Sequence, residues 1–166
     1  MLAVLAPVIA ALLLARAAWL WVNFDSQLLP YYLAQGIRVT PEKIESWQWV
    51  SAALTANVAL LLLCLALLRA GRIFRLVSQG ERIAASVVAH LSRTAALIFA
   101  AALVKIPLDA LTSLLLTINN EAGSRSLRLA FSSSELVGII AAGLLWALAS
   151  TLREAVSIRQ ENDAFV

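Results

Sequence analysis

The stretch AALIFAAALVKIPLDALTSLLLTI, residues 95–118, decides how the chain is read. It is long enough to cross a bilayer, yet it carries Lys105, Pro107 and Asp109 in its middle. Charge at that depth is expensive and needs an answering group. Lys105 and Asp109 are four residues apart, so on a helix they share a face and can pair, although lysine before aspartate is the weaker order. Pro107 removes a backbone donor and crowds the carbonyl of residue 103, which predicts a kink with exposed carbonyls nearby.

Three further oily blocks surround this one. Leu2 to Val22 is apolar except for Arg16, Val50 to Leu68 ends directly at Arg69, and Leu136 to Leu152 follows the sequence SSSE. There Ser132 and Glu135 fit a capping box that starts a helix. The first block has no lysine or arginine before its apolar core and outruns a signal-peptide core of roughly 7–15 residues, so it reads as a retained helix. The expected fold is all-α: one integral membrane four-helix bundle, residues 1–166, with spans at about 2–22, 50–68, 95–118 and 136–152. Composition agrees. The 166 residues are 61% hydrophobic and only 14% charged, whereas soluble domains are about a quarter charged.

Residues 69–94 hold five arginines, Arg69, Arg72, Arg75, Arg82 and Arg93, against Glu81 alone. The first loop offers Arg38 and Lys43, and the last offers Arg125 and Arg128. The positive-inside rule therefore places the arginine-rich segment and both termini in the cytoplasm, with residues 153–166 as a cytoplasmic tail. Trp19, Trp21, Phe24, Tyr31, Tyr32, Trp47 and Trp49 gather at the opposite ends of the first two spans and read as an aromatic belt. In the first loop, Thr40 before Pro41 and Glu42 reads as a helix N-cap, so the second span is expected to begin outside the membrane.

Ile73, Leu76, Val77, Ile83, Val87 and Leu91 recur at three-to-four spacing beside an arginine stripe. This predicts an amphipathic cytoplasmic segment between the second and third spans, with Gly80 as a break. Its ordinary role is a solvated helix packed on the bundle. The more specific alternatives are membrane lipid, met by Arg69, Arg72, Arg75, Arg82 and Arg93, or a docked cytoplasmic protein. Direct nucleic-acid binding is not expected, because no aromatic side chains interleave the arginines.

Asp109 would lie about 13 Å below the end of its span, and Arg16 and Asn57 about 9–10 Å below theirs. An interior polar layer of Arg16, Asn57, Lys105 and Asp109 is expected from this shared depth. Its plain role is to fix which helix faces point inward, and its functional alternative is a relay or a small-ligand site. A single carboxylate in that layer makes a poor relay. Catalytic constellations are lacking: His90 is the only histidine, and no zinc-protease helix or nucleophile elbow occurs, so neither enzyme activity, metal nor cofactor is expected. Ala52, Ala56 and Ala59, Gly138 and Ala142, and Gly143 and Ala147 follow small-residue spacing, which suits close helix packing and leaves a homo-oligomer open.

From Arg69 onward the order of features resembles a bacterial four-helix membrane family of unknown function, DUF2975. Phe74, Leu76 and Gly80 match its pattern after the second span, and Glu161 and Asn162 match its closing acidic element. The resemblance implies a small inner-membrane protein, often encoded beside a helix-turn-helix regulator, with no known reaction. It makes the arginine-rich segment and the tail, with Glu161 and Asn162, the places for a cytoplasmic partner. The expected function is a non-enzymatic accessory or regulatory membrane protein. A small transporter or channel-like subunit using the polar layer is the alternative.

Overall fold

The computed structural model describes residues 2–80, 85–121, 123–129 and 131–163, and the regular elements among them are helices. In chain order they are α1 (Leu2–Val22), α2 (Phe24–Ala34), a 3-10 turn (Pro41–Lys43), α3 (Ser46–Ser78), α4 (Ala85–Thr117) and α5 (Ser133–Asp163). Four of them, all but α2 and the turn, are long and apolar enough to cross a membrane. α3 packs between α1 and α4, and α4 packs between α3 and α5.

The distribution of side-chain size explains how these helices fit together. The buried positions are dominated by alanine: Ala6, Ala10, Ala52, Ala59, Ala66, Ala95, Ala101, Ala102, Ala110, Ala142 and Ala149. Large apolar residues such as Leu12, Leu54, Leu65, Leu103, Leu144 and Trp146 face outward. In water this arrangement would squander the hydrophobic driving force. In lipid it is sensible, because tails solvate leucine while small residues let backbones approach.

α3 and α4 each contain 33 residues. At 1.5 Å per residue each runs about 50 Å, well beyond a hydrocarbon core of about 30 Å. The extra length absorbs most of the expected amphipathic segment. α3 continues to Ser78 and α4 resumes at Ala85, so the described parts of residues 69–94 extend the spanning helices and form no separate surface helix. The apolar stripe is the reason. Val87, Val88 and Leu91 are buried, and continuing both helices keeps them packed. Gly80, at φ +94°, ends α3 by adopting the left-handed conformation that a side chain would oppose. Residues 153–163 likewise continue α5 as helix, replacing the first part of the expected tail.

At the other end a cap covers the bundle. The chain turns at Asn23, whose side-chain Nδ2 donates to the Trp19 carbonyl at 2.9 Å, and then forms α2. Thr40 does precede a helical turn with Pro41 first, but that turn is the 3-10 element. α3 starts separately, through a capping box between Glu45 and Gln48. The aromatic belt divides here. Trp19 and Trp47 are each 53% exposed, while Trp21 and Phe24 are buried with Ile37, Val39, Ala52 and Leu116. Trp21 stacks on Phe24 at 5.7 Å and meets Trp49 edge-on at 5.9 Å. These two are core of the cap, because α2 folds back onto them.

Between α4 and α5 the chain runs extended beside the last turns of α4. Ser126 N–H donates to Thr117 Oγ1 at 2.9 Å and Arg128 N–H to Ser113 Oγ at 3.0 Å, so hydroxyls on α4 satisfy its backbone. Leu127, Leu129 and Phe131 face outward. As a result α5 begins level with Lys105, about 18 Å down α4 from Thr117.

Candidate functional site

Lys105 organises the charged centre of the bundle. Its ammonium lies 2.5 Å from Asp109 Oδ2, one turn along α4, and 2.8 Å from Glu135 Oε1 on α5. The first contact follows from four-residue spacing. The second follows from α5 starting so far down α4. Glu135 is 1% exposed at its side chain, against 41% for Lys105 and 40% for Asp109. Burial at that level demands full satisfaction, and the carboxylate has it: Ser132 N–H donates at 2.6 Å, the Ser132 hydroxyl also donates, and Ser134 Oγ reaches Oε1 at 3.1 Å. One side chain therefore caps a helix and neutralises a lysine.

The other residues of the expected polar layer are distributed differently. Asn57 lines the same cavity as Lys105 and Asp109, while its Nδ2 donates back to the Ala53 carbonyl at 2.7 Å. Arg16 is exposed and makes no ion pair or hydrogen bond among the described residues. It does not join the layer. Ala6, Ala10 and Trp21 are the buried positions among the described side chains of α1, and Cys64 meets the Ala10 carbonyl. Arg16 lies six residues beyond Ala10, about 120° around the helix, and so points elsewhere.

Above Lys105 lies a cavity of about 190 Å³ beneath α2. Its walls come from α1, through Trp21, and from α2, α3, α4 and the extended segment, and its polar lining includes Tyr32, Gln35, Asn57, Asp109, Thr112 and Arg128. Arg128 Nη1 donates to the Gln35 carbonyl at 3.0 Å and also to Gln35 Oε1, which ties the extended segment to the end of α2. No carboxylate pairs with Arg128 among the described residues. Burial first, and then the negative charge of Asp109, push the Tyr32 phenol above its ordinary range, so it stays protonated and available as a donor.

Below Lys105 the lining changes. A recess of about 180 Å³ lies beside Ala102, Glu135 and Gly138. Beyond it is an apolar groove of about 470 Å³ formed by residues such as Leu63, Leu67, Ile73, Phe74, Leu91 and Leu145. At this far end Arg72, Arg75 and Arg93 are exposed and Arg69 is half-buried. None of the four pairs with a carboxylate among the described residues. Arg153 approaches Ser92 Oγ at 3.5 Å. His90 Nδ1 is buried without a hydrogen-bond partner among the described residues. Glu161 is exposed on the last turns of α5. Arg82 and the Asn162 side chain lie outside the described residues.

Local sequence reasoning missed Glu135 as a counterion, Arg128 as a cavity residue and α2 as a roof. The one available signal was an acid placed just before an oily span, where a capping role concealed a second one. No cluster of three or more His, Cys, Asp or Glu suited to a metal occurs among the described residues. No protein-family model, curated protein or solved structure matches the chain.

Proposed function

We propose that this chain is a non-enzymatic, multi-pass accessory or regulatory protein of the bacterial inner membrane, recognising a cytoplasmic partner through its arginine-bearing end. Both termini are then cytoplasmic, in keeping with the positive-inside rule and with the resemblance to DUF2975. The observation that carries the reading is the contrast between two charged regions. Lys105 meets Asp109 and Glu135 inside the bundle, whereas Arg69, Arg72, Arg75 and Arg93 have no acid to meet within the described fold. Unpaired guanidinium groups favour planar acidic partners, which they bind by paired hydrogen bonds.

Transport through the polar layer is the second reading, favoured by the cavity that reaches Lys105 and Asp109. The apolar groove on the other side weighs against it, because an ion continuing that way would lose its hydration without replacement.

The test separates docking from orientation. Replacing Arg72, Arg75 and Arg93 together by lysine keeps the positive-inside signal but removes the guanidinium fork. The variant is expected to insert as wild type and to lose most co-purifying cytoplasmic protein. An unchanged set of partners with correct insertion would overturn the docking proposal. A parallel truncation after Leu152 asks whether Glu161 and its neighbours contribute.

A further inference from the structure

The cavity beneath α2 has opposite charges at its two ends. At its floor, Lys105 is shared between Asp109 and Glu135, so the group as a whole holds one negative charge in excess. Asp109 and Lys105 both line the cavity, and one of the Asp109 oxygens, Oδ1, is not committed to Lys105. At the wall formed by the extended segment, Arg128 bonds only neutral acceptors on Gln35. Its positive charge has no carboxylate to answer it among the described residues. Tyr32 and Asn57 also line the cavity, and neither the Tyr32 oxygen nor Asn57 Oδ1 makes a described hydrogen bond.

We infer that this cavity is a binding site for a small zwitterion of the amino-acid type, its carboxylate on Arg128 and its ammonium on Asp109. A ligand with one charge would satisfy one end and aggravate the other. A dipolar ligand satisfies both, and low local dielectric strengthens each contact. Tyr32 supplies a donor for the carboxylate, and Asn57 Oδ1 supplies an acceptor for the ammonium. The volume, about 190 Å³, restricts the ligand to a compact molecule, since it lies below the roughly 300 Å³ at which drug-sized pockets begin. This site stands whether or not the arginine end docks a protein.

The experiment uses the full chain in lipid nanodiscs, titrated calorimetrically with glycine, β-alanine and γ-aminobutyrate, which carry the same two charges at increasing separation. Acetate and ethylammonium serve as the two halves. At least one zwitterion is expected to bind with one-to-one stoichiometry, and each half at least tenfold more weakly. Arg128→Gln and Asp109→Asn should each weaken binding tenfold or more. Ala56→Phe, which fills the cavity and removes no charge, should abolish binding while the helical spectrum is kept. Lys43→Gln, at the surface beside Glu121, should change nothing. The assignment is overturned if none of the three zwitterions binds the wild-type chain, or if binding survives Ala56→Phe undiminished.

Discussion

Truncating Glu135 to alanine removes a helix cap worth about 1 kcal/mol and charge-assisted hydrogen bonds worth about 1.5–3 kcal/mol. Glu135→Ala should therefore cost about 3 kcal/mol, measured by denaturant titration in detergent, and Glu135→Gln clearly less because it keeps an acceptor for Ser132. Equal losses in the two variants would mean that the ion pair dominates and the cap is idle. The pairing of Lys105 with Asp109 was legible from spacing alone, since four residues on a helix leave little choice. Glu135 was legible only as a cap. Its second role depends on how far down α4 the last helix begins, and no local pattern encodes that offset. Arg16 failed for a related reason: depth along a helix was deducible, but the direction around it was not.

Small residues divide into those that matter for contact and those that do not. A Cβ added at Gly138 would lie 3.1 Å from Ala102 Cβ, whereas one added at Gly143 would meet nothing within 4 Å. Gly138→Ala should therefore force α4 and α5 slightly apart, and Gly138→Leu should prevent their close packing altogether. Gly143→Ala should raise stability by up to about 1 kcal/mol, through helix propensity alone. Thermal unfolding of the three variants in one detergent checks the order. In sequence the two glycines carry the same small-residue spacing, so only the structure distinguishes them. The four long helices were legible from length and oiliness. α2 was not, because Phe24–Ala34 contains Pro30 and lacks the regular apolar stripe that signals a helix. It is held by the aromatic packing of Phe24 against Trp21, a contact across a turn.

For the molecule as a whole, an alanine interior beneath a leucine exterior is compatible with a surrounding phase that is itself apolar. Removing amphiphile should precipitate the protein while the helices persist. Topology has a clean probe, since Cys64 is the only cysteine and is buried. Cysteine placed at Gln79 should react with a membrane-impermeant maleimide only in inverted vesicles, and cysteine placed at Glu42 only in intact cells. The reverse pattern would place the arginines outside. Four helices long and apolar enough to cross a membrane were evident from composition, whereas the cavity was not, because it draws on α1, α2, α3, α4 and the extended segment, whose meeting is a property of the assembled fold. The dependence of Lys105 on a residue in α5 also has a consequence for biosynthesis. A ribosome delivers the lysine about thirty residues before Glu135, so until then Asp109, four residues on, is the acid that answers it. The contact between α4 and α5 at Glu135 is therefore a late event of synthesis, completed only when the start of the last long helix has been made.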